Sequence, residues 1–130
     1  MSQENVEIVR RAFAAFARGD LTAMLHPLTD DAITHRIEPD NAIFHGKEGF
    51  LQATAEWTED FEEWTATPEE FLDAGVQVLV RVHQTARGER SRVPIEGDAW
   101  FLFTMREGRI VRVTIHARNK EALEAAGLEE

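Results

Sequence analysis

The stretch VQVLVRVHQ at residues 76–84 places a valine at every second position from Val76 to Val82. Side chains alternate between the two faces of a β-strand, so this period of two predicts a strand with a buried face of valines. The β-branched valines also suit the pleated surface of a sheet. Gly75 marks the turn that precedes the strand. The stretch therefore predicts a sheet with a packed face.

The chain around this strand continues with the same period. Residues 93–105 and 109–117 predict two more long strands, and residues 71–74 predict a short one. The turn Arg106-Glu107-Gly108 separates two of them with a glycine, which is typical of a hairpin. The second half of the chain is therefore expected to form a mainly antiparallel sheet.

The first half has a helical period instead. Val6, Val9, Phe13 and Phe16 are spaced by 3, 4 and 3 residues, which predicts an amphipathic helix over residues 4–18.

Three further helices and one strand complete the predicted order. A short helix is expected at residues 21–25, capped by Asp20, and a third at residues 47–61. A first strand is expected at residues 31–37 and a C-terminal helix at residues 120–126. This order of elements indicates the α+β class, because helices do not alternate regularly with strands.

Composition limits the possible functions. The 130 residues contain 14 Lys and Arg against 24 Asp and Glu, so the net charge is −10, which disfavours nucleic acid as a partner. There is no cysteine, hence no disulfide or thiolate chemistry. With no apolar run of ~20 residues and no apolar segment near Met1, we expect no membrane span or secretion signal, and a cytoplasmic location. The length fits one domain over residues 1–130.

Six segments together resemble the SnoaL-like group of the nuclear transport factor 2-like superfamily. They are residues 9–20 (VRRAFAAFARGD), 30–32 (DDA), 44–49 (FHGKEG), 71–75 (FLDAG), 108–112 (GRIVR) and 121–128 (EALEAAGL). The resemblance implies a cone-shaped curved sheet wrapped around the N-terminal helices, with an apolar pocket at the open end. It also implies a homodimer formed through the outer sheet face. The same cone hosts many functions, so the pocket residues must decide the chemistry.

The catalytic pattern of ketosteroid isomerases, which share this fold, is missing. Where the resemblance implies a carboxylate base, a tyrosine and a second aspartate, this sequence has Arg36, Ala12 and, approximately, Phe101. Cyclases of the SnoaL kind use a late aspartate, and related sequences often carry one just before the C-terminal helix, where Arg118 stands here. We therefore exclude ketosteroid isomerase activity and expect no intact cyclase mechanism.

Two residues are candidates for catalysis. Arg36 would face the pocket as an anion or oxyanion partner, or else pair with Glu38 or Asp40 at the rim. His116 would be a general acid–base, or else an ordinary histidine at a sheet interface.

Other residues are predicted to line the pocket or to form a dimer interface. The expected pocket lining is Phe13, Phe16, Thr34, Trp57, Phe61, Phe101, Phe103 and Thr114. Trp100, Arg81 and His83 are expected on the outer sheet face, at a homodimer interface. The five histidines lack the spacing of metal ligands, and no glycine motif for a nucleotide is present, so we expect neither metal nor cofactor.

Two classes of function remain open. The first is binding of a small hydrophobic molecule in the cone, with cofactor-free isomerase, cyclase or hydrolase chemistry by His116 and Arg36. The second is a non-catalytic ligand-binding or protein-interaction module that dimerises through the sheet.

Overall fold

The computed structural model of the chain describes residues 2–128. The helices are α1 (Ser2–Ala17), α2 (Leu21–Leu25), α3 (Gly46–Thr58) and α4 (Asn119–Ala126). The strands are β1 (Leu28–Arg36), β2 (Ala42–His45), β3 (Phe61–Ala74), β4 (Gln77–Gly88), β5 (Pro94–Arg106) and β6 (Arg109–His116). Among the helices of residues 2–128, none is long and apolar enough to cross a membrane.

The strands form one curved open sheet in the order β2-β1-β6-β5-β4-β3. All neighbours are antiparallel except β1 and β6, which are parallel. The predicted α+β class and mainly antiparallel sheet are confirmed. The predicted cap of α2 is confirmed as well, since the Asp20 carboxylate accepts a hydrogen bond from the backbone N–H of Ala23 at 3.1 Å.

The third helix ends earlier than its apolar spacing predicts. It ends at Thr58, and Phe61 already belongs to β3, where it pairs with Gly88 of β4. The prediction of a helix up to residue 61 is therefore wrong. An aromatic residue four positions after Trp57 fits a helical face, but pairing with β4 determines its place instead.

Strand β3 is 14 residues long, whereas the sequence predicts only its last four residues. Its first ten residues include four glutamates, and the half-buried positions after Trp64 are held by Ala66 and Pro68, so its apolar alternation is weak. Such residues are tolerated on an edge strand, because one side has no ladder to complete. The strand exists because β4 offers a full row of partners from Gly88 to Gln77.

The sheet has two packed faces. The inner face carries Val78, Val80 and Val82, which pack with Val9 of α1 in the main core. The outer face is partly covered by α4, whose Ala122 and Ala126 pack on Leu79 and Leu102. Val78, Val80 and Val82 therefore do form one buried face, whereas Val76 precedes β4 and is exposed, and α4 buries the opposite face near Leu79. The space left between the inner face and the helices is the candidate site.

Candidate functional site

A cavity of about 310 Å³ lies between the inner sheet face and the helices α1 and α3. This volume lies at the low end of the range for small-molecule sites, about 300–1,000 Å³. Aromatic side chains dominate its wall: Phe13, Phe16, Phe50, Trp57, Phe61, Trp64, Phe101 and Phe103. Six of these are among the residues that the sequence predicts to line a pocket.

The other two predicted lining residues lie elsewhere in the sheet. Thr34 is fully buried on the inner face, where it pairs with Phe44 and Val113, and it is not part of the cavity wall described by the structure. Thr114 pairs with Leu102 and therefore shares the outer face. Strand alternation separates it from the cavity.

Edge-to-face contacts join the aromatic rings of α1 to those of the sheet. The Phe13 ring lies 6.0 Å from Phe71, 6.3 Å from Phe101 and 5.9 Å from Phe103, measured between ring centroids. Phe16 meets Trp64 at 5.6 Å. Helix α1 brings Phe13 and Phe16 to the sheet because they are three residues apart on one helical face.

Arg36 lies at one end of the cavity and is buried, with a side-chain exposure of 8%. Its Nε donates to Asp40 Oδ1 at 3.0 Å and its Nη2 donates to Asp40 Oδ2 at 2.6 Å. Nη2 also donates to Glu56 Oε1 at 3.3 Å. The guanidinium thus faces two carboxylates. The structure therefore shows the alternative in which Arg36 forms an ion pair with Asp40.

Each partner of this bidentate pair favours the charged form of the other. Hydrogen bonding to the Asp40 carboxylate raises the pKa of Arg36 above its usual value, although burial opposes the rise. The same hydrogen bond lowers the pKa of the Asp40 carboxyl. With Glu56 nearby, the positive charge of Arg36 is already compensated by protein carboxylates.

His116 borders the cavity but belongs to the other sheet face. It pairs with Trp100, whereas Ile115 pairs with Phe101 and with Arg36. Residues that are directly opposite share a face, so Arg36 is on the inner face and the imidazole of His116 is on the outer one. The two candidate catalytic residues are therefore not brought together.

The imidazole of His116 is buried without hydrogen-bond partners. The residue is 6% exposed, and neither Nδ1 nor Nε2 finds a partner among the described residues. Burial lowers its pKa, because water no longer stabilises the charged ring. Glu38 and Glu121 oppose this decrease, and His35 adds to it.

We expect His116→Phe to raise the free energy of unfolding by about 1 kcal/mol at pH 7, since it removes two unpartnered buried nitrogens. The gain should grow below pH 6.5, the ordinary pKa of histidine. Below this pH, His116 is protonated in the unfolded wild-type chain but not readily in the folded chain. The stability of the wild type therefore decreases as the pH decreases. Urea unfolding at pH 5 and pH 7 measures both effects.

The predicted pH dependence of His116→Phe needs a control, because His83 changes the pH dependence of stability in the opposite direction. Hydrogen bonds that the ring donates to Asp98 and, with a smaller effect, to Glu96 raise the pKa of His83. This residue therefore adds stability at low pH that is lost as pH rises. His83→Gln should steepen the loss of stability on acidification. An unchanged pH profile in His116→Phe would contradict the prediction.

The predicted dimer residues lie on the outer face. Arg81 pairs with Asp98 at 3.3 Å and with Glu70 at 3.7 Å. His83 lies 2.7 Å from Asp98 and 2.8 Å from Glu96. The indole of Trp100 packs beside the residues covered by α4. Their assignment to a homodimer interface stays a prediction.

Gln84 is a polar cavity residue that the sequence analysis missed. Its Oε1 accepts hydrogen bonds from the indole N–H of Trp57 at 3.0 Å and of Trp64 at 2.9 Å. It continues the inner-face series of valines on β4, in phase with Val80 and Val82. A glutamine in phase with buried valines is the signal that could have identified it.

Acidic and imidazole groups do not converge on a metal-binding arrangement within residues 2–128. In that range no set of three His, Asp or Glu side chains stands where it could hold an ion.

A family model for the SnoaL-like domain matches residues 9–113. A solved NTF2-like protein from Burkholderia xenovorans LB400 is 28% identical over 97% of each chain, with a TM-score of 0.73. A Sinorhizobium meliloti protein proposed to be a polyketide cyclase is 25% identical over 85% of this chain and 94% of that one, with a TM-score of 0.67. An NTF2-like protein from Burkholderia thailandensis E264 is 17% identical over 95% of each chain, with a TM-score of 0.79. Among curated proteins, none matches this sequence.

Proposed function

The chain belongs to the SnoaL-like family, and from this premise we propose that its cavity binds a small, neutral, hydrophobic molecule. The observation that carries the proposal is the aromatic wall of the 310 Å³ cavity. Ligand sites are typically apolar with few polar groups that orient the ligand. Packing alone would favour filling such a space, because each void lowers stability.

The charges near the cavity favour a neutral ligand over an anion. Arg36 is compensated by Asp40 and Glu56. Glu38 adds a further carboxylate to the wall, where its Oε1 accepts the backbone N–H of Ala117 at 2.9 Å. A carboxylate ligand would lose its hydration and meet no free cation there, which is costly. Arg36 is therefore proposed as a paired residue of the wall and not as the partner of an anionic ligand.

The structure supports ligand binding without catalysis better than it supports acid–base catalysis carried out by Arg36 and His116. A proton carrier must reach the reacting group within hydrogen-bond distance. Arg36 and His116 both border the cavity, but they lie on opposite faces of the sheet and both ring nitrogens of His116 are buried, so His116 does not reach a ligand with a proton. Cofactor-free cyclase chemistry is the second candidate, and the likeness to the proposed polyketide cyclase of Sinorhizobium meliloti favours it.

Calorimetric titration with 2-acetylnaphthalene tests the proposal, because this flat, neutral ketone is small enough for the cavity. We expect a Kd of about 10–100 μM from the usual affinity per ligand atom. The matched anion 2-naphthoate should bind at least about tenfold more weakly, because its charge meets no unpaired cation. Absence of binding by the ketone and by its hydrocarbon analogue 2-isopropylnaphthalene would refute the proposal. Equal affinity for the anion would refute its neutral character.

A further inference from the structure

Gln84 lies where a ligand in the cavity would meet it. It lies on β4, opposite Gly97 of β5 on one side and Ala66 of β3 on the other. Both neighbours along β4 on the same face, Val82 and Ala86, also line the cavity. The side chain of Gln84 is therefore on the inner face, and glycine and alanine opposite it leave the space in front of it open.

Two tryptophans determine which way the Gln84 amide is oriented. The indole N–H groups of Trp57 and Trp64 can only donate, and both point at the same atom, Oε1, at 3.0 and 2.9 Å. Exchanging the amide oxygen and nitrogen would place an NH₂ group against two N–H donors. The bridge between α3, β3 and β4 thus holds the amide in one orientation.

The fixed orientation leaves only donors free on this amide. Both indoles occupy the oxygen, while Nε2 has no partner among the described residues. Nε2 is also not among the buried polar atoms that lack a partner, so it remains accessible. Gln84 lines the cavity from the inner face, so its N–H groups are within reach of a ligand bound there.

We propose that Gln84 is the specificity-determining residue of the cavity, selecting hydrophobic ligands that carry a neutral acceptor oxygen such as a ketone. This inference rests on the proposed binding function and adds the ligand's polar group to it. A ligand with an acceptor completes the hydrogen bonding of Nε2. A ligand that is a cationic donor meets two N–H groups and is rejected, since specificity often arises from unpaired polar groups.

The test uses three probes of nearly the same shape: 2-acetylnaphthalene as acceptor, 2-isopropylnaphthalene as hydrocarbon, and 1-(2-naphthyl)ethylamine as cationic donor. Gln84→Glu is the decisive variant, because a carboxylate still accepts from both indoles but has no N–H to offer. At pH 8 we expect it to bind the ketone about tenfold more weakly and the amine about tenfold more tightly. The affinity for the hydrocarbon should stay within about threefold.

Two further variants separate this role from general effects. Gln77→Glu adds the same charge on the same strand but on the outer face, where Gln77 Nε2 donates to Thr104 Oγ1 at 3.3 Å, so it should leave all three affinities unchanged. Gln84→Met removes donor and acceptor together. It should weaken binding of the ketone by about five- to tenfold without strengthening binding of the amine. This variant remains informative if Gln84→Glu fails to fold.

The outcomes distinguish this inference from the function on which it rests. If the three probes bind the wild type and all the variants in the same ratios, Gln84 does not determine specificity, although the cavity still binds hydrophobic molecules. If no probe binds the wild type, the proposed function itself fails. A Gln77→Glu variant that reproduces the effect of Gln84→Glu would also overturn the inference, because the change would then reflect net charge.

Discussion

Phe13→Ala should lower the free energy of unfolding by about 3 kcal/mol, near the lower limit for loss of a core phenylalanine. Phe13 contacts three other aromatic rings and connects α1 with β3 and β5. Its removal loses both buried apolar area and edge-to-face contacts. The existing cavity beside Phe13 keeps the cost at the lower limit, because part of the ring is not packed. Urea unfolding monitored by circular dichroism measures the change.

Phe61→Ala is the matched control for this prediction. Phe61 also lines the cavity and is partly buried like Phe13, but within the described structure it makes no aromatic ring contact and does not pack against the main core. We expect it to cost about 1 kcal/mol or less. Equal losses in the two variants would show that the contacts of Phe13 are not what stabilises α1 on the sheet.

Ala66→Trp should abolish ligand binding, with a loss of at least about thirtyfold in affinity for 2-acetylnaphthalene. Ala66 lies on the inner face of β3, directly opposite Gln84, and it lines the cavity. A tryptophan there occupies the space that the ligand needs, while the existing void limits the overpacking cost to about 1–3 kcal/mol. Calorimetric titration measures the binding, and urea unfolding confirms that the variant is folded.

Thr67→Trp is the control for the cavity-filling variant. Thr67 is the next residue on β3 and pairs with His83, so it is exposed on the outer face. The same added side chain on the same strand should leave ligand affinity within about twofold. A ligand that still binds Ala66→Trp with wild-type affinity would have to occupy a site other than the cavity.

Much of the fold could be predicted from local patterns. The helical spacing of Val6, Val9 and Phe13 predicts α1, which begins two residues earlier and ends one residue earlier than expected. The valines of β4 predict the buried sheet face that the structure has. A period of 2 or 3.6 residues is a property of neighbouring residues in the chain, so it is visible without tertiary contacts.

The missed strands show what local patterns lack. β2 has only four residues, and β3 has five acidic residues among its fourteen and only a weak apolar alternation. They are strands because the neighbouring strands β1 and β4 offer them rows of hydrogen-bond partners, which the period of their own residues does not reveal. Edge-strand residues are weakly constrained by burial, so their sequences carry little of the signal that a core strand carries.

The sequence by itself determined the family, the α+β class, the aromatic lining and the two residue types that could carry chemistry. Only the tertiary structure decided that Glu56 joins Asp40 in compensating the charge of Arg36, that His116 belongs to the other sheet face, and that the Gln84 oxygen accepts from two indole N–H groups. The physical reason is that composition and period depend on adjacent residues. Hydrogen bonds and the face of a strand end instead depend on register and on groups 20 or more residues apart.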